Sequence, residues 1–271
     1  MAALRELDRA GLTGLEGGPE GAERTAVLVH GFPQSSRMWR PLAEELVERG
    51  FHVIAPDLYC LGASQDPGPA TFERNRDAVA ALMDTLAPAS LDLILHDWGG
   101  FVTLAWASQN PERVRSMVIS DTGFFSDGRW HGMAKAIRRP GGEALLQGLS
   151  KDAFAALLRD DAGAQFSDED IDAYWEPFES GRGREATVEF YRSLDFEKLA
   201  PYEAKLGDVK APTLLLWGAE DPFAPPSGAH RFARMLENTE LVMLEGVGHF
   251  AFSRFMIRRC CALHAVVFLA A

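Results

Sequence analysis

The feature that most constrains this chain is the run Leu91 to Gly100, LDLILHDWGG, in which an apolar strand-like segment passes straight into a short polar residue, an aromatic one and two glycines. The residues that follow, up to Ser108, have helical composition, so strand and helix are joined with almost no linker. Such a reversal needs a sharp turn in which small residues allow close approach of the backbone. It holds one side chain, here Asp97, above the end of a sheet. The helix start behind it offers unpaired N–H groups and the positive end of a dipole, both favourable to a carboxylate.

The same rhythm extends along the chain. Thr25 to His30, Phe51 to Ala55, Leu91 to Leu95, Val114 to Ile119, Pro212 to Trp217 and Leu241 to Leu244 read as strands, several of them apolar without alternation. Unalternating apolar strands belong to sheets covered on both faces. Met38 to Arg49, Phe72 to Leu86 and Gly100 to Ser108 read as the covering helices. The expectation is an α/β fold: a mainly parallel twisted sheet flanked by helices. Residues 124–201 break the rhythm, being helical and rich in Trp, Phe, Arg and Gly. They are expected to form an inserted helical lid on a core made of residues 1–123 and 202–271. Open sheets bind ligands outside the carboxyl ends of their strands, so the lid would roof the site.

An aspartate at the turn selects the reaction. A serine there would attack acyl carbon, whereas a carboxylate attacking acyl carbon gives a mixed anhydride. Attacking saturated carbon, it displaces a halide or opens a strained ring and leaves an ordinary ester that water can cleave. The alternative reading of Asp97 is an N-cap of the following helix. Its partners favour chemistry. His30-Gly31-Phe32-Pro33 ends the first of these strands, where the Phe32 backbone N–H, with that of Trp98, is expected to form an oxyanion hole for the charge that develops on the ester carbonyl; one such donor is worth about 3–4 kcal/mol of barrier. Asp221 follows the strand ending at Trp217, and His249 follows the last strand, giving the chain order nucleophile, acid, histidine. His249 would take the proton of the ester-cleaving water and Asp221 would fix its tautomer. Asp121, at another strand end, is a second candidate acid. The remaining histidines show no metal-ligand spacing, Gly99-Gly100 lacks dinucleotide-site spacing, and no cofactor is expected.

Taken together, His-Gly-Phe-Pro at 30–33, Pro56-Asp57 with Gly62-Ala-Ser64, His-Asp-Trp-Gly-Gly at 96–100 and Gly-His-Phe at 248–250 resemble the epoxide hydrolase and haloalkane dehalogenase branch of the α/β-hydrolase superfamily. The resemblance covers about Ala26 to Phe250. It implies the α/β-hydrolase fold, an Asp97–Asp221–His249 triad, and a lid tyrosine, Tyr191 of Glu189-Phe190-Tyr191-Arg192, that donates to the epoxide oxygen as the ring opens. Phe32 is similar to the epoxide hydrolases, since many dehalogenases carry Asn there. The stretch Pro140 to Phe154 lacks the other lid tyrosine of that group, for which Tyr174 is the stand-in. Leu95, two before the nucleophile, is glycine in many epoxide hydrolases and bulkier in dehalogenases. The dehalogenase alternative puts a halide between the indoles of Trp98 and Trp130 or Trp175, since indole is a donor only. Arginines beside the elbow, found in haloacid-specific relatives, are absent.

The resemblance thus implies a hydrolase that opens an epoxide through an ester on Asp97. The alternatives are a haloalkane dehalogenase, an epoxide opened by the substrate's own amine or hydroxyl in natural-product assembly, and a non-catalytic ligand-binding member of the fold. The partner expected is a small-molecule or natural-product substrate, the state monomer or homodimer. A net charge of −12 repels phosphate backbones and anionic lipid and disfavours small anionic substrates. Cys60, Cys260 and Cys261 cannot make a disulfide framework, and Met1 to Gly14 lacks a leader's apolar stretch, so a cytoplasmic location is expected. Ala262 to Ala271 is half the length of a membrane span and is expected to be a closing helix. The basic, cysteine-bearing stretch from Ser253 departs from the family.

Overall fold

A computed structural model describes residues 4–64, 68–86, 89–253 and Phe268. Its centre is an eight-stranded sheet of order β1-β2-β4-β3-β5-β6-β7-β8. The strands are β1 (Leu4–Arg9), β2 (Leu12–Gly17), β3 (Thr25–Val29), β4 (His52–Pro56), β5 (Leu91–His96), β6 (Val114–Ser120), β7 (Thr213–Gly218) and β8 (Thr239–Leu244). The six from β3 to β8 run parallel, and every one expected from the sequence is present within two residues of its predicted ends. β3, β4, β5 and β7 are buried at every position, which is why their apolar residues do not alternate.

The antiparallel hairpin β1–β2 was not anticipated. It turns at Ala10-Gly11, both at positive φ, and adds itself to β4 in register Leu15↔Ala55.

Helices α1 (Arg40–Glu48), α2 (Phe72–Asp84) and α3 (Trp98–Ala107) follow β3, β4 and β5. α1 presents Leu42 and Leu46 to the sheet, with Pro at its first turn and a 3-10 turn, Ser36–Trp39, leading in. α2 begins at Thr71, whose hydroxyl accepts from the Arg74 N–H. α3 is buried at all ten of its positions, which explains a sequence with no polar face. Between β6 and β7 lie α4 (Gly132–Arg138), α5 (Glu143–Gln147), α6 (Lys151–Arg159), α7 (Asp168–Glu179), α8 (Arg182–Ser193) and α9 (Ala200–Leu206). α10 (Ser227–Met235) joins β7 to β8. The stretch 124–201 is accordingly rich in helices, and α8 packs on α2 and α4.

Cys60 is buried and unbonded to another cysteine; Cys260, Cys261 and the expected closing helix lie outside the described residues. Among the described residues no helix is long and apolar enough to cross a membrane.

Candidate active site

The turn after β5 is as tight as its sequence requires. Asp97 sits at φ 45° and ψ −117°, a conformation that costs an L-residue energy and is tolerated where surrounding contacts impose it. Those contacts are specific. The Asp97 carbonyl accepts from the Gly100 N–H at 2.9 Å and from the Thr122 hydroxyl at 2.7 Å. A Cβ on Gly99 would stand 2.2 Å from the Val29 carbonyl oxygen, and one on Gly31 would stand 2.3 Å from the Asp97 Cβ. Both glycines are thus required by the close approach of β3's end to the turn.

Three strand ends then converge. Asp97 Oδ2 accepts from the Phe32 N–H at 2.8 Å, and Asp97 Oδ1 lies 3.9 Å from His249 Nε2. His249 Nδ1 hydrogen-bonds Asp221 Oδ2 at 2.8 Å, while Asp221 Oδ1 accepts from the N–H groups of Phe223 and Ala224 at 2.7 and 2.9 Å. A charged carboxylate at Nδ1 fixes the tautomer with the proton on Nδ1 and leaves Nε2 free to accept from water. Trp98 is the first residue of α3, so its N–H has no partner within the helix.

The electrostatics follow from this placement. Burial by itself would lower the His249 imidazole. The charge and hydrogen bond of Asp221, with Asp97 across the gap, outweigh it and hold the group well above its ordinary pKa. Burial pushes Asp97 up, but His249 and the Phe32 N–H prevail and the carboxyl titrates below its usual value. Asp221 is lowered in the same way, burial being outweighed by His249 and two backbone donors.

Asp121, the other candidate acid, does not reach the histidine. Also at positive φ, 46°, it accepts from the Gly218 N–H at 2.9 Å and from the Ser120 hydroxyl. Burial and the neighbouring Asp221 raise its pKa well above the usual carboxylate range.

Asp97, Trp98, Phe32, Trp130, Tyr191 and His249 line one cavity of about 280 Å³ under the helices. Tyr191, on α8, places its ring 5.0 Å from those of Trp98 and Trp130. Burial and the Asp97 charge keep its phenol protonated.

Two expected lid residues are elsewhere. Trp175 packs inside the helical layer against Phe154 and Phe178 and beneath Arg184. Tyr174 lines a separate cavity with Gln34 and Arg37. Both sit on α7, whose buried face turns towards other helices and not towards Asp97. Trp130 lines the right cavity, but its indole N–H is taken by the Leu194 carbonyl at 3.3 Å, so it offers its ring and no donor.

Sequence reasoning missed two groups. His131 caps α4 and lines the cavity, with Nε2 3.4 Å from the Tyr191 hydroxyl; burial lowers its pKa to about 4, so it is neutral. Asp161, in the loop after α6, accepts from the Phe250 N–H at 3.0 Å, while Ala162 accepts from the Gly248 N–H at 2.7 Å. These bonds pin the His249 loop from above. Neither residue stands in a recognisable local pattern; both are brought in by the insertion. His96, one before the nucleophile, is fully buried, its ring 4.9 Å from that of His249, and burial lowers it to about 3.

A parallel sheet with a strained carboxylate turn, a histidine after the last strand and an acid after the one before it defines a hydrolase of the α/β type. The chain belongs to the α/β-hydrolase fold family, whose model matches residues 26–254. It is 30% identical over 219 residues to the cis-3-alkyl-4-alkyloxetan-2-one decarboxylase of Shewanella oneidensis, covering 74% of this chain and 69% of that protein. It is 29% identical to a 2-hydroxy-6-oxononadienedioate/2-hydroxy-6-oxononatrienedioate hydrolase of Paraburkholderia xenovorans, covering 86% and 82% of the two chains. Among solved structures it resembles the haloalkane dehalogenase DbeA of Bradyrhizobium elkani, with a TM-score of 0.79, 26% identity and coverage of 100% and 99%. The chain is accordingly an α/β-hydrolase enzyme with dehalogenase-like relatives.

Proposed function

We propose that this enzyme opens an epoxide by attack of Asp97 on a ring carbon, forming an alkyl ester that a His249-activated water then cleaves. The observation that carries the reading is the donor set facing the nucleophile. Tyr191 presents a protonated hydroxyl to the cavity that holds Asp97, while the indole N–H of Trp130 is committed to Leu194 and Trp175 lies in the helical layer. A departing alkoxide needs a proton donor of this kind; a halide needs two free N–H groups. Phe32 in place of a halide-holding amide agrees with this. So does the likeness to a protein named for an oxetan-2-one, itself a strained oxygen ring.

Each residue then has a role. The Asp97 carboxylate attacks with Oδ1, the oxygen not held by the Phe32 N–H, and the ring C–O bond breaks as Tyr191 gives its proton to the oxygen. In the ester the Asp97 carbonyl oxygen keeps the Phe32 N–H and gains that of Trp98, which bind the charge that develops on it. Water gives a proton to His249 Nε2 as its oxygen bonds to the ester carbon. Collapse of that adduct expels the alcohol, which takes its proton from His249, and leaves the Asp97 carboxyl, whose proton passes through solvent to Tyr191, so that all three groups are restored. Asp221 compensates the imidazolium throughout.

The second reading is a haloalkane dehalogenase using the same nucleophile, favoured by the full-length likeness to DbeA and by Trp98. Mass spectrometry of His249→Gln decides between them. This variant should accumulate an ester, so a panel of epoxides and bromoalkanes is offered and the peptide containing Asp97 is weighed. Capture of the whole epoxide mass is expected. A gain equal to the bromoalkane less HBr, from that class alone, would establish the second reading, and no gain from either class would overturn both.

A further inference from the structure

The cavity that holds Asp97 also has an exposed part to its lining. Besides Asp97 it is lined by the rings of Phe101, Trp130 and Phe196, packed on one another, and by Gly128, Arg129, Ser227 and Arg231, of which Arg129 and Ser227 are exposed and mark its mouth. Among the described lining residues the sole carboxylate is Asp97, whereas two are arginines. Arg231 is neutralised: it pairs with Asp127 at 2.6 Å and Glu203 at 3.5 Å and lies 3.8 Å over the Phe125 ring. Glu203 is further occupied by the Ser126 N–H at 2.6 Å. Arg129 is different. It is exposed, lines the cavity, and makes no ion pair or hydrogen bond with the described residues; Asp127, already engaged by Arg231, is the nearby acid that feels its charge. Arg129 thus puts a guanidinium with no hydrogen-bond or ion-pair partner among the described residues at the mouth of the reaction cavity, in a chain of net charge −12.

We infer that the substrate carries a carboxylate at the end remote from its reacting carbon, and that Arg129 holds that carboxylate at the mouth while an apolar spacer lies along the aromatic wall. This deepens, and rests on, the reading of Asp97 as a nucleophile towards carbon. The ligand class follows from the geometry. A cavity of about 280 Å³, at the small end of ligand pockets, admits a short chain and not a large conjugate. One free planar guanidinium matches one carboxylate in a two-pronged contact. The acidity of the protein as a whole disfavours small anions at long range, but within the screening length of about 8 Å at physiological salt the nearest charge dominates, and at this mouth it is Arg129.

The test separates binding from chemistry. Heptanoate and heptanamide have the same length and no reactive carbon; calorimetric titration into Asp97→Asn measures the preference of the cavity for the anion. A preference of about 5- to 30-fold for heptanoate is expected for a partly exposed charge-assisted pair, decreasing as salt is raised. Adding Arg129→Gln should bring the ratio near one. Arg129→Lys should retain part of it, and the remote Arg115→Gln should not change it. The chemistry is read with 6,7-epoxyheptanoate and its amide on His249→Gln. Adducts on Asp97 with equal capture rates for acid and amide, and equal binding of heptanoate and heptanamide, would overturn the inference and leave the nucleophile standing. A heptanoate preference that Arg129→Gln does not alter would also overturn it. Binding preference without any Asp97 adduct would uphold the anion site and overturn the nucleophile assignment.

Discussion

Replacing Tyr191 by phenylalanine separates the proposed ring opening from every other use of this residue. The side chain is buried and its ring packs on Trp98, Trp130 and Phe32, contacts that phenylalanine keeps. The oxygen lost makes one long approach to His131 Nε2 at 3.4 Å, beyond good hydrogen-bond geometry. Losing that contact should cost about 1 kcal/mol or less, which in a chain of this size moves the melting midpoint by no more than about 2–4 °C. Losing a proton donor at a developing alkoxide costs about 3–4 kcal/mol of barrier, or 100- to 1,000-fold in rate. The activity effect should therefore exceed the stability effect severalfold in free energy. The assay compares kcat/KM of wild type and Tyr191→Phe on an epoxide and on the bromoalkane of equal chain length, with thermal melts of both proteins. The epoxide rate should drop at least 100-fold and the bromoalkane rate less than about 10-fold, because bromide leaves without a proton. Equal losses on both substrates, or an epoxide loss below about 3-fold, would refute the role given to the hydroxyl.

Three further outcomes follow from the geometry. Gly99→Ala places a methyl 2.2 Å from the Val29 carbonyl and 2.7 Å from that of His30; overpacking against backbone should cost about 3 kcal/mol and lower the melting midpoint by about 6–12 °C, so an unchanged melt would contradict the described turn. Asp221→Asn should stall the enzyme as the Asp97 ester with at least about 1,000-fold slower release, and Asp121→Asn should not stall it; the reverse pattern in a single-turnover experiment would make Asp121 the acid. His249 is held above its ordinary pKa, so its protonated form stabilises the fold fully below about pH 6.5 and that contribution fades as pH rises through the folded value. Alkylation removes the Asp97 charge, one of the two that raise His249. Ester cleavage should then have its pH midpoint below the His249 titration of the free enzyme measured by proton NMR, and a midpoint at or above it would count against the proposed base.

Much of this architecture was legible in one dimension because it depends on local chemistry. Strands buried on both faces leave unbroken apolar runs, and the turn at Asp97 is marked by the Gly99-Gly100 pair that follows it directly. Asp221 and His249 could be picked out because each stands just beyond a strand end, and a parallel sheet brings such ends together. The hairpin Leu4 to Gly17 escaped because its pairing partner, β4, lies far along the chain, and nothing within the segment specifies that contact. The helices between β6 and β7 are the larger case. Their amphipathic sequences state that one face is buried but not against what, so only packing decided that Trp175 and Tyr174 turn away, that Trp130 spends its N–H on Leu194, and that His131 and Asp161 come to the site. Whether two carboxylates or one faced the histidine was equally undecided until β6 and β7 were side by side. Direction in space, unlike the spacing of residues along a strand or helix, is set by the neighbours a side chain meets, and those neighbours come from distant parts of the chain.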